Sequence, residues 1–194
     1  MNDRLSAQIR FILEADKLKE IERQTRLLTG SRRENSAEHS WHLAVMVMIL
    51  SEYANEALDA AKVIRMVVVH DLVEIDAGDT FCYDAAENAT KAERERRAAD
   101  RLFGILPDDQ RREFRGLWEE FEEGRTIEAR FAAAMDRMCP VLLNLRNKGQ
   151  SWREHRVPAA RIFERNGKIA DGSTILWDRI KAELDQAVAE GLIG

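Results

Sequence analysis

The sequence predicts an all-α fold, a compact helical bundle that forms a single domain over residues 1–194. Apolar residues recur at spacings of three and four, which places them along one side of a helix. The chain contains only three prolines and ten glycines, and most of them lie between the periodic segments. No segment shows the strict alternation of a β-strand and no heptad pattern persists, so a globular bundle is favoured over a coiled coil.

The first two predicted helices flank a polar, basic segment at residues 22–35, in which TGSRREN is predicted to be a loop. The second helix is predicted to run from Ser36 to about residue 55. Asn35 suits its N-cap position, and Glu38, three residues later, completes a capping box. Apolar residues at helical spacing are Leu5, Ile9, Ile12, Leu13 and Leu18 in the first helix, and Leu43, Met46, Ile49 and Leu50 on the inward face of the second.

The third predicted helix covers about residues 58–75 and ends at Gly78. Its centre, VIRMVVVHDLV, is apolar on nearly every side, which indicates a buried helix. A loop is predicted over residues 76–89. A helix is predicted over 90–104, and its charges indicate a solvated face. The next helix starts with Pro107 at its first position and directs Phe114, Leu117, Trp118 and Phe121 inward. Further helices are predicted over 126–147, with a kink or break at Pro140, and over about 158–168 and 173–190.

The composition limits the classes of function. Hydrophobic residues make up 45% of the chain, charged residues 34%, and the net charge is −5. Such a chain can bury a sizeable core. Because its net charge is negative, it is not expected to bind a nucleic acid polymer or an anionic membrane. The longest apolar run, LAVMVMIL at residues 43–50, is far shorter than the roughly 20 residues that span a bilayer.

The N-terminal segment and the two cysteines bear on the cellular compartment in which the protein is expected. The first 20 residues carry charges throughout and lack the apolar segment of a signal peptide. Cys82 and Cys139 lie far apart in the sequence and form no C-x-x-C pair, so no disulfide scaffold is indicated. We therefore expect a cytoplasmic protein with free thiols.

Polar side chains in apolar surroundings indicate the chemistry. His70 and Asp71 directly follow three valines, where an ionised carboxylate costs several kcal/mol unless it is paired or bound to a metal. Glu74 lies at i+4 from His70 and at i+3 from Asp71, so one turn of helix presents an imidazole and two carboxylates. Asp79 follows just beyond Gly78. These residues predict a polar site at the end of a buried helix.

Other helices contain candidate partners for that site. His39 and His42 lie on the apolar side of the second helix, and each could be a packed core histidine or a metal ligand. Because His39 lies in the first turn and His42 is expected to lie deeper, we interpret His39 as the ligand and His42 as a packed or supporting residue. Asp136 could form a buried salt bridge, but together with the histidines it is favoured as a ligand. His155 has charged neighbours and is predicted to be exposed.

Two imidazole nitrogens and two carboxylates suit a divalent ion such as Mn, Co, Ni, Fe, Zn or Mg. A structural zinc site would be expected to use cysteines. A mixed set of histidine and carboxylate ligands leaves positions for water and substrate, which is typical of a hydrolytic centre.

The stretch RRENSAEHSWHL followed by HDLVEIDAGD resembles the HD-domain superfamily of metal-dependent phosphohydrolases. It is similar in particular to the branch that contains the 5′-deoxynucleotidases and related small HD hydrolases. The likeness extends from DKLK at residues 16–19 to about residue 145. It implies a compact all-α HD-domain bundle, commonly a homodimer. Carried over residue by residue, it implies metal ligands at His39, His70, Asp71 and Asp136, a catalytic acid or base at Glu74, and a contact to the nucleotide sugar at Asp79.

The deoxynucleotidases of this branch carry an Arg-Trp pair before the first histidine, where this chain has ERQTRLLTGSRREN. Arg23 and Arg26 are available in that segment, but the nearest tryptophan, Trp41, follows His39. Arg33 lies just before a helix N-terminus, where an anion is favoured, and it is a candidate phosphate contact together with Arg23.

The resemblance implies a phosphomonoesterase that acts on nucleoside (deoxy)ribonucleotide 5′-monophosphates by means of a metal-activated water. A phosphodiesterase or a nucleotide triphosphohydrolase of the same superfamily is an alternative. The lack of a long basic segment suited to a triphosphate favours monophosphates. A non-catalytic helical regulatory protein with a structural metal site is the alternative outside the enzymes, and the additional carboxylate of Glu74 argues against it.

Overall fold

The structure is a computed structural model that describes residues 3–194. The predicted all-α class is confirmed, because helices dominate and a small sheet of two strands is the exception. The α-helices in this range are α1 (Asp3–Ala15), α2 (Ser36–Leu50), α3 (Ala60–Val69), α4 (Glu74–Ala77), α5 (Ala85–Phe103), α6 (Asp108–Glu123), α7 (Ile127–Arg146), α8 (Gln150–Glu154), α9 (Ala159–Asn166) and α10 (Thr174–Ala189). Short 3₁₀ turns cover Asp16–Glu20, Ser51–Tyr53, His70–Val73 and Gly167–Asp171.

The prediction that no strand is present was wrong at residues 22–35. Strands β1 (Glu22–Arg26) and β2 (Arg33–Asn35) pair antiparallel there, with Glu22 opposite Asn35. Hydrophobic alternation could not reveal these strands, because the side chains they bury are polar. Thr25 and Glu34 are the buried residues of the two strands.

Helix α2 begins as predicted. The side chain of Asn35 accepts a hydrogen bond from the backbone N–H of Glu38 at 2.9 Å, and the Glu38 carboxylate accepts one from the Asn35 N–H at 3.2 Å, which confirms the capping box. The helix ends at Leu50, earlier than predicted, and Ile49 is exposed rather than inward. The core side of α2 is formed by Leu43, Met46 and Val47.

The predicted third helix is divided into three parts. Helix α3 ends at Val69, a 3₁₀ turn covers His70–Val73, and α4 then continues to Gly78, whose φ of 75° ends the helix as predicted. Every residue of the 3₁₀ turn is buried, whereas Val68 is exposed. The tighter turn therefore directs the side chains of the His-Asp pair toward the interior.

The core consists of two clusters of buried apolar residues. The larger one is formed mainly by α2, α3, α7 and α10, and the smaller one by α1, α5, α6 and the turn after α3. Met66 and Val67 belong to the larger cluster, and Val69 and Leu72 belong to the smaller one. His70 and Asp71 thus lie where the two clusters meet.

Helix α7 contains Pro140 and runs without a break from Ile127 to Arg146, so of the predicted kink or break the break does not occur. Because proline has no N–H, the carbonyl of Asp136 loses its usual i+4 donor. Pro107 is the N-cap residue of α6 rather than its first helical residue. None of the helices in residues 3–194 combines the length and the apolar character that a membrane crossing requires.

Candidate metal centre

Three side chains from separate parts of the fold meet at one point. Nε2 of His39 on α2 lies 3.0 Å from Oδ1 of Asp136 on α7, and Nε2 of His70, in the turn after α3, lies 3.9 Å from the same oxygen. One ligand atom from each residue lies within 4.8 Å of the others. Such spacing suits three ligands around one cation, since bonds from zinc-like ions to nitrogen and oxygen are about 2.0–2.2 Å long.

The imidazole of His70 is oriented by the backbone. Its Nδ1 lies 2.8 Å from the carbonyl oxygen of Val67, so Nδ1 carries the proton in this contact and the lone pair of Nε2 faces the carboxylates. Nε2 is buried and has no hydrogen-bond partner among residues 3–194, although Oδ1 of Asp71 lies 3.0 Å away. Phe121 packs against the other side of the ring, with centroids 4.8 Å apart. A buried, unpartnered nitrogen beside two carboxylates fits a metal ligand.

The carboxylate of Asp136 is held in its ionised form. Although burial alone would raise the pKa of this carboxyl, the adjacent imidazoles of His39 and His70 hold the pKa well below its ordinary value. An oxygen that stays ionised is available to a cation. The distances thus bring the four predicted ligands close to one another, and the predicted acid or base, Glu74, lies beside them. The four ligands are His39, His70, Asp71 and Asp136.

Glu74 lies at the edge of this group. Its Oε2 accepts a hydrogen bond of 2.6 Å from the hydroxyl of Ser36, the first residue of α2. Burial raises the pKa of Glu74 well above its ordinary value, and the nearby carboxylate of Asp71 raises it further. A raised pKa favours the protonated form of a carboxyl, and that form can act as a general acid.

Arg23 on β1 supplies the positive charge of the site. One of its nitrogens donates a hydrogen bond to Oδ2 of Asp71 at 2.8 Å. The guanidinium lies within 4 Å of five carboxylates, those of Asp71 (2.8 Å), Asp79 (3.7 Å), Glu74 (3.9 Å), Asp136 (3.9 Å) and Glu34 (3.9 Å). Asp79 is thus near the group, and burial raises its pKa.

Arg33, the other predicted phosphate contact, is not among the described residues that line the cavity at this site. It is half-buried on β2, and its neighbour Glu34 takes the inward position instead. Successive side chains of a strand point to opposite faces, so only one of the two can face the site.

The relative depth of His39 and His42 was predicted wrongly. His39 is fully buried and His42 is only half-buried. The geometry nevertheless brings His39 to the cluster, whereas Nδ1 of His42 lies 3.4 Å from Sγ of Cys139. His155 is exposed, as predicted.

One cavity is lined both by the acidic group and by aromatic side chains. The charged residues are Arg23, Asp71, Glu74, Asp79 and Asp136, and the aromatic residues are Phe81, Tyr83 and Trp152. The rings of Phe81 and Tyr83 meet edge to face with centroids 5.4 Å apart. Sequence reasoning missed Trp152, because it lies on the short helix α8, between two predicted helices, where no element was predicted.

The cavity also contains cations that the sequence did not indicate, among them Lys91 and Arg165. Lys91 belongs to the segment interpreted as a solvated face, and that interpretation was wrong for one side of α5. Its ammonium lies 3.4 Å from the carboxylate of Glu95, which is buried. The spacing of Glu95 to Ala98, Ala99 and Leu102, all buried, was the available signal.

Together, the helical fold and this cluster define an all-α protein with a candidate histidine–carboxylate metal centre. A family model described as "HD domain" matches residues 15–177, and the chain belongs to that family. The resemblance predicted from the sequence is thereby confirmed.

Named relatives and solved structures extend the comparison. The 5′-deoxynucleotidase HDDC2 of Homo sapiens is 32% identical over 112 residues, which are 58% of this chain and 53% of that protein. The protein of the same name from Mus musculus is 30% identical over 136 residues, 70% of this chain and 66% of that one. The chain thus matches only about half the length of the human relative.

A crystal structure of a predicted metal-dependent phosphohydrolase from Magnetospirillum magnetotacticum MS-1 has a TM-score of 0.95 and 49% sequence identity, covering 99% of this chain and 96% of that one. A conserved hypothetical protein from Pyrococcus furiosus, 22% identical with a TM-score of 0.61, covers 93% of this chain and 99% of its own, and it shows the shared fold alone.

Proposed function

We propose that this protein is a metal-dependent phosphohydrolase that converts nucleoside 5′-monophosphates, of the ribo or deoxyribo series, to nucleoside and inorganic phosphate. One observation carries the proposal: Asp136, which meets His39 and His70 in the cluster, lines the same cavity as Glu74 and three aromatic side chains. A phosphate ester at the cluster would place its organic part along those aromatic side chains. The similarity to 5′-deoxynucleotidases supports the same class of substrate, and the similarity to a predicted metal-dependent phosphohydrolase supports the reaction class.

The proposed ligands of a divalent ion are His39, His70, Asp71 and Asp136. The set fits because it combines a buried, unpartnered imidazole nitrogen of His70 with the carboxylate of Asp136, whose pKa is held well below its ordinary value. A bound ion of this kind lowers the pKa of water, which makes a nucleophile available near neutral pH, and stabilises negative charge on phosphoryl oxygens. The identity of the ion belongs to the proposal and is open among Mn, Co, Ni, Fe, Zn and Mg.

Glu74 is the proposed general acid. Its raised pKa favours the protonated carboxyl, whose proton can be transferred to the 5′ oxygen of the leaving nucleoside. The hydroxyl of Ser36 fixes the position of Oε2, so the other oxygen is free to face the cavity. Glu74 is therefore proposed to transfer a proton and not to bind the ion, which is the role of the other four residues.

Arg23 and Lys91 are the proposed phosphate contacts, since both cationic side chains line the cavity. Cations beside phosphoryl oxygens stabilise the charge that develops in the transition state. Asp79, 3.7 Å from Arg23, is the proposed contact to a sugar hydroxyl. The base is proposed to stack on the aromatic side chains of Phe81, Tyr83 and Trp152, because an aromatic ring can stack on any of the bases.

A panel of phosphate esters tests the proposal. The purified protein is loaded with Mn²⁺ or Co²⁺ and offered deoxyribonucleoside and ribonucleoside 5′-monophosphates, deoxyribose 5-phosphate, a cyclic nucleotide diester and a nucleoside triphosphate. We expect release of inorganic phosphate from the monophosphates, faster when a base is present. Cleavage of the diester or the triphosphate alone would instead favour the alternative enzymes. A protein that binds the ion and releases phosphate from none of these would favour a regulatory role.

A homodimer and a cytoplasmic location remain predictions. The dimer is supported by helix α1, on which the apolar side chains of Leu5, Ile9, Ile12 and Leu13 are exposed. Exposed apolar side chains at helical spacing on one helix are typical of a surface that another chain covers. Size-exclusion chromatography with light scattering would test this, with Ile12→Glu expected to yield the monomer.

A further inference from the structure

Three buried polar atoms converge beside the candidate metal centre. They are Oε2 of Glu34, Nδ1 of His39 and Nε of Arg23, and none of them has a hydrogen-bond partner among the described residues. Oε2 of Glu34 lies 3.5 Å from Nδ1 of His39 and 3.9 Å from Nε of Arg23. Glu34 is only 2% exposed and His39 0% exposed, so water is not available to replace the missing partners.

The two short strands explain how a carboxylate reaches this place. Glu22 on β1 pairs with Asn35 on β2, so Arg23 and Glu34 are the next residues along the two strands. Asn35 caps α2, and His39 lies in the first turns of that helix. The pairing of β1 with β2 and the cap at Asn35 therefore bring Glu34, Arg23 and His39 close to one another.

The chemistry of the three atoms is complementary. A carboxylate oxygen only accepts hydrogen bonds, an arginine Nε–H only donates, and the imidazole Nδ1 donates when it carries the ring proton. A movement of about 0.5 Å brings Nδ1 and Oε2 within the 2.7–3.2 Å of a hydrogen bond. A proton fixed on Nδ1 leaves the lone pair of Nε2 directed at Asp136 and the metal cluster.

We propose that Glu34 is a positioning residue that acts on two parts of the site at once. It fixes the tautomer and ring orientation of His39, which faces the ion, and it holds the Nε edge of Arg23, which faces the phosphate. The first role rests on the proposed metal ligands, and the second rests on the proposed function.

A competing assignment is a second ion held by Glu34, His39 and Cys139, whose ligand atoms also lie within 4.8 Å of one another. The guanidinium of Arg23, 3.9 Å from the same carboxylate oxygen, opposes a cation there. Cys139 is completely buried and already contacts His42. The geometry therefore favours a hydrogen-bonded carboxylate over a second metal site.

The experiment measures Mn²⁺ binding to the full chain by titration against a chelator, without substrate. The variants are Glu34→Gln, which keeps the shape and removes the charge, and Glu34→Ala. The matched control is Glu183→Gln, a half-buried carboxylate on α10 that contacts Arg146 and Arg179. We expect the Mn²⁺ dissociation constant to rise by about 10–100-fold in Glu34→Ala and by less in Glu34→Gln, as for other lost partners of metal-bound histidines.

Thermal unfolding of the metal-free proteins separates positioning from folding. Glu34→Gln should unfold close to the wild-type temperature while its Mn²⁺ affinity falls. Unchanged Mn²⁺ affinity in a folded Glu34→Gln protein, whatever Glu34→Ala does, would overturn the proposal. A wild-type protein that binds two Mn²⁺ ions per chain and a Glu34→Gln variant that binds one would establish the second metal site instead.

The role toward Arg23 has its own readout. The inhibition constant of inorganic phosphate and the KM for a nucleoside monophosphate, both measured at saturating Mn²⁺, should rise in Glu34→Gln because phosphate is bound less tightly. Combining Glu34→Gln with Arg23→Lys should add little to the effect of Arg23→Lys alone, since both act through one contact. Fully additive effects would contradict the link. If no variant and no wild-type protein hydrolyses any ester, the proposed function fails while the Mn²⁺ measurement still decides the role toward His39.

Discussion

The hydroxyl of Ser36 donates a hydrogen bond of 2.6 Å to Oε2 of Glu74, across 38 positions of sequence. Ser36 is the first residue of α2, immediately after the N-cap Asn35, and it is fully buried. The start of one helix thus fixes the carboxyl that we propose as the general acid. Burial and the carboxylate of Asp71 raise the pKa of Glu74, whereas the hydrogen bond from Ser36 lowers it.

Replacing Ser36 by alanine should therefore shift the pH dependence of the reaction. The hydroxyl stabilises the ionised form of Glu74, so its loss should raise the pKa of Glu74 further above its ordinary value. The limb of the kcat/KM profile that reports Glu74 should move to higher pH. The control is Ser40→Ala, a buried serine on the same helix whose hydroxyl has no partner among residues 3–194. An equal shift in both variants would contradict the assignment.

Removing a proposed ligand should remove the ion. His70→Ala and Asp71→Ala should each lose the bound divalent ion and all hydrolysis, and they should be less stable because the remaining carboxylates are left buried with less compensation. Metal analysis after gel filtration checks the first effect and thermal unfolding the second. Asp109→Ala serves as the control, since Asp109 is exposed and pairs with Arg4. Full occupancy and rate in either ligand variant would refute the ligand set.

His39 and His42 should differ sharply. His39→Gln should cause a severe loss of the ion, because its Nε2 faces Asp136 at 3.0 Å. His42→Gln should keep the ion and lower the rate modestly at most, since Nδ1 of His42 contacts Cys139 and His42 is not part of the cluster of His39, His70 and Asp136. The metal content and kcat of the two variants decide this. Equal and complete loss of the ion in both would show that the two histidines were separated incorrectly.

Glu74 and Asp79 should affect different steps. Glu74→Ala should keep the ion while kcat falls by about 10²–10⁴-fold, the usual range for a lost general acid or base, with little change in KM. Asp79→Ala should instead reduce discrimination between ribonucleotides and deoxyribonucleotides, and it should leave turnover of a minimal phosphate ester nearly unchanged. Loss of the ion from Glu74→Ala would identify Glu74 as a ligand.

Glu95 should make the stability depend on pH. Burial raises the pKa of this carboxyl to about 7, an effect that Lys91 opposes and Glu122 reinforces. The unfolded chain ionises its glutamates near 4.3, so the folded protein retains a proton that the unfolded chain releases between about pH 4.5 and 7. The stabilising contribution is present below this window and is lost as the pH rises through 7.

Glu95→Gln should therefore remove part of the fall in unfolding free energy between about pH 4.5 and 7.5, at most about 3 kcal/mol. Urea unfolding at a series of pH values measures it. Glu93→Gln is the control, because Glu93 is exposed and pairs with Arg96 and Arg97. A wild-type and a Glu95→Gln protein with parallel pH profiles would show that Glu95 titrates normally.

The features that could be predicted from the sequence depend on residues only a few positions apart. The capping box at Asn35 and Glu38, the helix end at Gly78 and the grouping of His70, Asp71 and Glu74 all depend on residues within a few positions of one another. Their geometry follows from the turn of a helix, so the sequence contains it directly. The alternation of the hairpin was not predictable in this way, because its inward side chains, among them Glu34, are polar.

The sequence by itself determined the helical class, most helix positions, the HD family and the residues that make a metal site chemically reasonable. Only the tertiary structure decided which of them meet. Asp136 reaches His39 across 97 positions, Arg23 enters the group from a strand, and Trp152 joins the cavity from a short helix. Contacts over such separations depend on how the two apolar clusters pack all the helices together, and no local spacing specifies that packing.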